Sequence, residues 1–256
     1  FAVIGYGKLG GKELGYGSDL DLVYVFDDPA GEAGENYGRL GQRLNTWLSS
    51  RTPAGILFET DLRLRPNGDS GLLAVSVEAF RDYQLHHAWV WEHQALTRAR
   101  FAAGDAATGT DFERIRNEII ARPRDWPTLR ADVIEMRARV AEGHPNRKAG
   151  ELFDLKHDNG GLVDMEFAVQ ALVLRYGATQ PTMRADHGNI ALAIRAGELG
   201  LIPADTGLAA ANAYRTLRSR QHAIRLQGAE RAAVPLAELA DERGAIRSFY
   251  EAVIAP

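Results

Sequence analysis

Two aspartates one residue apart, Asp19 and Asp21, stand at the head of an apolar run, Leu20 to Phe26. The run is rich in β-branched and aromatic residues and stops at Asp27-Asp28-Pro29, which is the composition of a strand and its end. Alternate residues of a strand share a face, so the two carboxylates point the same way. Like charges held that close keep a proton unless a cation sits between them. Hard divalent cations such as Mg²⁺ take oxygen ligands, typically one or two carboxylates together with substrate phosphates. A bare Asp-x-Asp is common on polar strand edges, and context is what lifts this one. Gly10-Gly11 lies upstream, with seven residues between it and Asp19, and Ser18 immediately precedes the pair. Glycines let a phosphate approach the backbone, and successive N–H groups there form an anion-binding nest. A phosphate cradle followed by a metal-holding carboxylate pair is the minimum equipment for moving a nucleotidyl group.

A second charged cluster lies further on. Ile56 to Arg65 reads as a strand with Ile56, Phe58, Thr60, Leu62 and Leu64 on one face and Leu57, Glu59, Asp61, Arg63 and Arg65 on the other. Two readings of the charged face stay open. A carboxylate flanked by arginines suits a site that handles phosphates, because Arg binds phosphate oxygens bidentately. A solvated sheet face, with Asp61 paired to its neighbours, fits the spacing equally well. A competing reading of the amino-terminal glycines is the dinucleotide fingerprint, because Gly5-Tyr6-Gly7-Lys8-Leu9-Gly10 matches G-x-G-x-x-G and Asp27 falls near the ribose position. Against it, only Gly11 to Ser18 remain for a crossover helix, and that span carries three glycines.

The elements that must position these residues follow from pattern. Phe1 to Ile4 is a strand leading into the glycines. Tyr37, Leu40, Leu44, Trp47 and Leu48 recur at helical spacing. Leu72 to Val75 reads as a third strand, and Ser76 with Glu78 starts a helix. Trp89 to Arg100 reads as helix, with a strand as the alternative near Leu96 to Phe101. From Asp105, a candidate N-cap, the character turns helical. The stripes are Phe112, Ile115, Ile119 and Ile120, then Leu129, Val133, Met136 and Val140. Leu162 to Tyr176 is apolar nearly all round, as a buried helix is. Its Asp164 and Glu166 read as first-turn dipole partners, with an anion site at Gly160-Gly161 and Lys156 as the alternative. Further helices span 189–198, 208–227 and 242–254. The layout predicts an α+β fold: a small mixed sheet over residues 1–103, then a helical bundle over 104–256.

The 256 residues carry a formal net charge of −4 and no cysteine. This charge implies no general attraction to nucleic acid or acidic membranes. The missing cysteines exclude disulfides and thiolate metal sites and fit a cytoplasmic enzyme. No apolar run approaches the ~20 residues of a membrane span. The start at Phe1, inside an apolar run, suggests a piece of a longer chain. No histidine has the i, i+4 partner of a helical zinc site, and neither a nucleophile elbow nor a Walker A lysine is present.

Leu9-Gly10-Gly11, seven residues, then Asp19-Leu20-Asp21-Leu22 resembles the signature of the DNA polymerase β-type nucleotidyltransferases. Longer blocks are similar to the glutamine synthetase adenylyltransferase family. They are Gly7 to Leu22, Asp61-Leu62-Arg63-Leu64-Arg65-Pro66, Trp91-Glu92-His93-Gln94-Ala95-Leu96 to Arg100, and Asp154 to Phe167. Enzymes of that family have two related halves, one removing AMP from glutamine synthetase by phosphorolysis and one adding it. Glu13-Leu14-Gly15-Tyr16 and Trp91-Glu92-His93-Gln94-Ala95-Leu96 look like the carboxy-terminal, adenylylating half. Gly68-Asp69-Ser70-Gly71 looks like the other. The resemblance implies that Asp19, Asp21 and Asp61 are catalytic and hold two Mg²⁺ ions. It further implies that Gly10, Gly11 and Ser18 cradle the phosphates of ATP, with Lys8, Arg63 and Arg65 as charge partners. Glutamine synthetase would be the protein substrate and a PII-type protein a regulator. The alternatives are the reverse, phosphorolytic reaction and a catalytically silent nucleotide-binding module.

Overall fold

A computed structural model describes residues 1–185 and 188–254. The chain forms two compact units, Phe1–Ile120 and a second from Ala121 onward. The first unit opens with β1 (Ala2–Gly5), a one-turn helix α1 (Gly7–Gly10) and β2 (Leu20–Phe26). There follow α2 (Ala33–Ser49), a small hairpin of β3 (Arg51–Thr52) and β4 (Gly55–Ile56), then β5 (Thr60–Asp61) and β6 (Ala74–Ser76). It ends with α3 (Val77–His86), α4 (Val90–Thr97), β7 (Arg100–Gly104) and α5 (Ala106–Ile120).

The sheet is mixed, in the order β5-β2-β1-β7, with β6 also on β2. Strands β1 and β2 are antiparallel, Gly5 opposite Leu22, whereas β5 and β6 run parallel to β2. The antiparallel first pair rules out the dinucleotide fold, whose β1 and β2 are joined by a helical crossover into a parallel pair. The span of residues 11 to 18 is too short and too rich in glycine for such a crossover.

Strand β2 is buried on both faces, which is why it reads as a continuous apolar run. Leu20, Leu22, Tyr24 and Phe26 pack with Tyr37, Leu44 and Leu48 of α2. Val23 and Val25 meet Phe80, Leu96, Phe112, Ile115 and Ile119 from α3, α4 and α5. Because α5 closes this second core, the compact unit runs to Ile120; the sequence reading divided the chain at 103, where regular strand gives way to helix. Ser76 caps α3 by accepting from the Ala79 N–H, and Asp105 accepts from the Thr108 N–H at the start of α5, both as expected from sequence.

The predicted strand from Ile56 to Arg65 is corrected. Only Gly55–Ile56 and Thr60–Asp61 are extended and paired, in two different sheets. The alternation in this segment comes from one hairpin arm, one short edge strand and a turn, each too short to be a strand of its own length. From Leu62 the chain turns, and Arg65 holds the turn by donating to the carbonyls of Leu62 (2.7 Å) and Gly71 (3.3 Å).

The second unit holds α6 (Trp126–Gly143), β8 (Leu152–Asp154), α7 (Leu162–Tyr176), α8 (Asn189–Glu198), α9 (Ala204–Leu226), β9 (Ala233–Pro235) and α10 (Ala240–Ile254). Strands β8 and β9 pair antiparallel. Helix α7 is central, touching α6, α8, α9 and α10, and this explains its apolar surface. Its Asp164 accepts from Arg137 Nε (2.5 Å) and from the Gly160 N–H (2.6 Å), and Glu166 accepts from the Tyr214 hydroxyl (3.2 Å). Both acids are therefore tied into the bundle. Gly160 has φ +85°, and a Cβ there would lie 2.6 Å from the Arg243 carbonyl oxygen, so the glycine is required by the turn. Among the described residues no helix is long and apolar enough to cross a membrane.

Candidate active site

Asp19, Asp21 and Asp61 converge. Carboxylate oxygens from the three lie within 4.8 Å of one another, each side chain half-buried. Asp61 is delivered by the parallel pairing of β5 with β2, in which Leu20 faces Thr60 and Asp21 faces Asp61. The Leu20 N–H donates to the Glu59 carbonyl (2.8 Å) and fixes that register. Asp19 precedes the strand and shares the parity of Asp21, Val23 and Val25, so the side that is core further along is carboxylate at the strand's head.

The electrostatics follow from crowding. Burial, then the like charges of Asp19 and Asp61, push Asp21 up to about 6, against the opposing pull of Lys8 and Arg98. Asp61 is held below the usual carboxylate range, chiefly by its hydrogen bonds with Arg63. Arg63 grips it closely: Nε lies 3.0 Å from both Oδ1 and Oδ2, Nη2 also donates to Oδ2, and the Arg63 N–H donates to Oδ1 (2.9 Å). An all-oxygen donor set in which burial and mutual repulsion raise one carboxyl is what a hard divalent cation would relieve. The residues present thus fit Mg²⁺. Among the described residues this is the one group of three or more acidic or histidine side chains close enough for a shared ion. His93 is instead buried against the Gln84 carbonyl (2.9 Å), while His86 and His87 flank Asp82.

The glycine turn has a structural logic that the sequence did not disclose. Gly7 has φ +50°, and a Cβ there would stand 2.0 Å from Asp21 Oδ2. The backbone at Gly7 is thus pressed directly onto the carboxylate. A Cβ on Gly10 would meet the Arg98 carbonyl oxygen at 2.1 Å, and one on Gly11 would meet the Arg98 guanidinium at 2.3 Å. Arg98 is buried and paired with Glu13 (2.8 Å). Arg100 donates to the carbonyls of Leu9 and Gly10, 3.1 Å each, closing the end of α1. Ser18 turns inward, its hydroxyl accepting from the Gly15 N–H (3.1 Å). The loop from Gly10 to Ser18 is thereby held at the mouth of β2 by the α4–β7 segment. Of these supports, Glu13 and Arg98 were not singled out by chemistry in the sequence, and Gly7 only as part of the G-x-G-x-x-G match. The signal for them was the position of Glu13 and Arg98 inside blocks otherwise read as motif.

Carboxylates brought together by two neighbouring parallel strands, beside a glycine turn on a mixed sheet, are the equipment that nucleotidyl transfer needs. The sequence profile of the glutamate-ammonia ligase adenylyltransferases matches residues 1–115, and that of the PII-uridylyltransferases matches residues 134–237. Among curated proteins, the bifunctional glutamine synthetase adenylyltransferase/adenylyl-removing enzyme of Bordetella bronchiseptica is 58% identical over 99% of this chain and 27% of its own length. Those of Aromatoleum aromaticum and Burkholderia mallei are 58% and 51% identical over 99% of this chain, covering 27% and 28% of theirs. Over nearly its whole length the chain is similar to the glutamine synthetase adenylyltransferases. It spans about a quarter of the length of these relatives.

Proposed function

We propose that this chain is the adenylylating nucleotidyltransferase part of a glutamine synthetase adenylyltransferase, transferring AMP from ATP to a tyrosine hydroxyl of glutamine synthetase with release of pyrophosphate. The observation that carries the reading is the meeting of Asp19, Asp21 and Asp61 oxygens within 4.8 Å. Loss of a metal ligand is the usual mark of a silent copy, and all three carboxylates are in place. Asp19 and Asp21 would hold Mg²⁺ on the triphosphate, and Asp61 would complete a two-ion site. Bound there, the ions supply charge neutralisation at the phosphates and at the entering and leaving oxygens. Asp61 would orient the incoming hydroxyl and lower its pKa or accept its proton. Such help matters because a tyrosine of pKa about 10 is a poor nucleophile at neutral pH. The N–H groups of Gly10, Gly11 and Ser18 already donate to the carbonyls of Tyr6, Gly7 and Gly15, so the loop would seat the β- and γ-phosphates by its shape, with Lys8 and Arg63 as charge partners. Attack in line at the α-phosphorus then expels pyrophosphate.

The helical unit carries the part similar to PII-uridylyltransferases, and docking of the protein substrate or of a PII-type regulator belongs there in this reading. Incubation with α-labelled ATP, Mg²⁺ and unmodified glutamine synthetase should label the synthetase. A second tube, with AMP-modified synthetase and phosphate, tests the reverse reaction, which the turn Gly68-Asp69-Ser70-Gly71 favours by its resemblance to the amino-terminal half. Turnover in the second tube alone would reverse the assignment of direction.

A further inference from the structure

The nucleotidyltransferase reading leaves Arg63 with two claims on it, and the geometry separates them. Its guanidinium and backbone N–H together occupy both oxygens of Asp61. A carboxylate offers about four lone-pair sites, and a cation held by Asp61 needs the same ones. Of the arginines acting electrostatically on the trio, Arg65 is bound to the Leu62 and Gly71 carbonyls and Arg98 is buried against Glu13. Arg63 differs: its side chain is 73% exposed, while that of Asp61 is 16% exposed. Asp61 is fixed by strand pairing, so the partner able to leave is the arginine. Release returns the guanidinium to solvent, so its cost is small beside that of breaking a buried pair. An arginine freed beside a bound nucleotide finds in its phosphates the bidentate acceptor that its planar fork fits best.

We infer that Arg63 is a charge-exchange residue, competing with the divalent cation for Asp61 and passing to the nucleotide's polyphosphate as the cation takes that carboxylate. The inference rests on the proposed reading of the trio as the metal site. It makes nucleotide and cation bind cooperatively, because each removes the competitor of the other.

The test measures Mn²⁺ binding to the full chain by the free-ion EPR signal at pH 7.5, with and without α,β-methylene-ATP. In the absence of nucleotide, Arg63→Gln should bind Mn²⁺ about two- to fivefold more tightly than the parent, the range that release of an exposed pair corresponds to. It should also bind the nucleotide analogue less tightly, so that cooperativity between the two falls to what direct contact between cation and phosphate supplies. Arg63→Lys, which keeps the charge and loses the fork, should fall between. Equal or weaker Mn²⁺ binding by Arg63→Gln, with an unchanged melting curve, overturns the inference and makes Arg63 a fixed support of Asp61. If the parent chain takes up no Mn²⁺ even with the nucleotide analogue, the metal reading of the trio itself fails, a distinct outcome that removes the inference with it.

Discussion

Asp21 carries the clearest consequences at the scale of single residues. Its carboxyl is raised to about 6 by burial and by two like charges. In the absence of cations the folded chain therefore holds a proton there that the unfolded chain releases near pH 4, and this contribution to stability declines as pH rises from about 4 to 6. Asp21→Asn should raise the melting temperature at pH 7.5 without cations, by an amount equivalent to about 1–3 kcal/mol, and should abolish any Mg²⁺- or Mn²⁺-induced shift. A lower melting temperature, or a retained shift, would contradict the account. Cation affinity should also fall as pH drops through about 6, because proton and metal contend for the same oxygens; a flat titration between pH 5 and 7.5 would disagree. Gly7→Ala should weaken Mn²⁺ binding at least tenfold, roughly 1.4 kcal/mol, since a methyl at that φ collides with Asp21 itself. Asp19 and Asp21 were legible from sequence because a two-residue period needs no long-range knowledge. Gly7 was not, because its necessity lies in a contact with Asp21 fourteen positions away, visible only once α1 folds back.

At the scale of elements, the α4–β7 segment braces the glycine loop, through the Arg100 bonds to Leu9 and Gly10 and through the buried pair Glu13–Arg98. Arg98→Ala removes the buried charge partner of Glu13 and should cost about 3–5 kcal/mol in denaturant unfolding. A loss below about 1 kcal/mol would mean that the loop is held by other means. Regular elements with strong periodicity were readable: β2, α2, α3, α5 and α7 fall close to their expected spans. The segment Ile56–Arg65 misled because alternation over ten residues can be assembled from two-residue strands in separate sheets, and hydrogen-bond partners are not written in local pattern. Likewise Trp89 to Arg100 holds a helix and the start of a strand, since Thr97 and Ala99 suit both.

For the molecule as a whole, sequence gave the sheet-then-bundle order but not the place of α5, whose apolar stripe fits either core until a partner is seen. The bundle has its own keystone in Arg137, which pairs with Asp164 and donates to the His157 carbonyl (2.8 Å). Arg137→Ala should lower the melting temperature by several degrees, the effect of leaving a buried acid without its partner, while leaving Mn²⁺ affinity unaltered, because every candidate ligand lies in the first unit. A parallel drop in affinity would reveal coupling between bundle and sheet. One last property comes from the β2–β5 pairing. Asp21 and Asp61 sit on the same rung of the ladder, so their separation is set by the ~4.8 Å spacing of hydrogen-bonded strands rather than by the length of chain joining them. Thirty-nine residues intervene, including a helix and a hairpin, and insertions there are buffered by the ladder. A one-residue slip of β5 is not: it would turn Asp61 to the opposite face. Segment length between the two carboxylates is thus free to diverge among relatives, while the two-residue strand that ends in Asp61 is not.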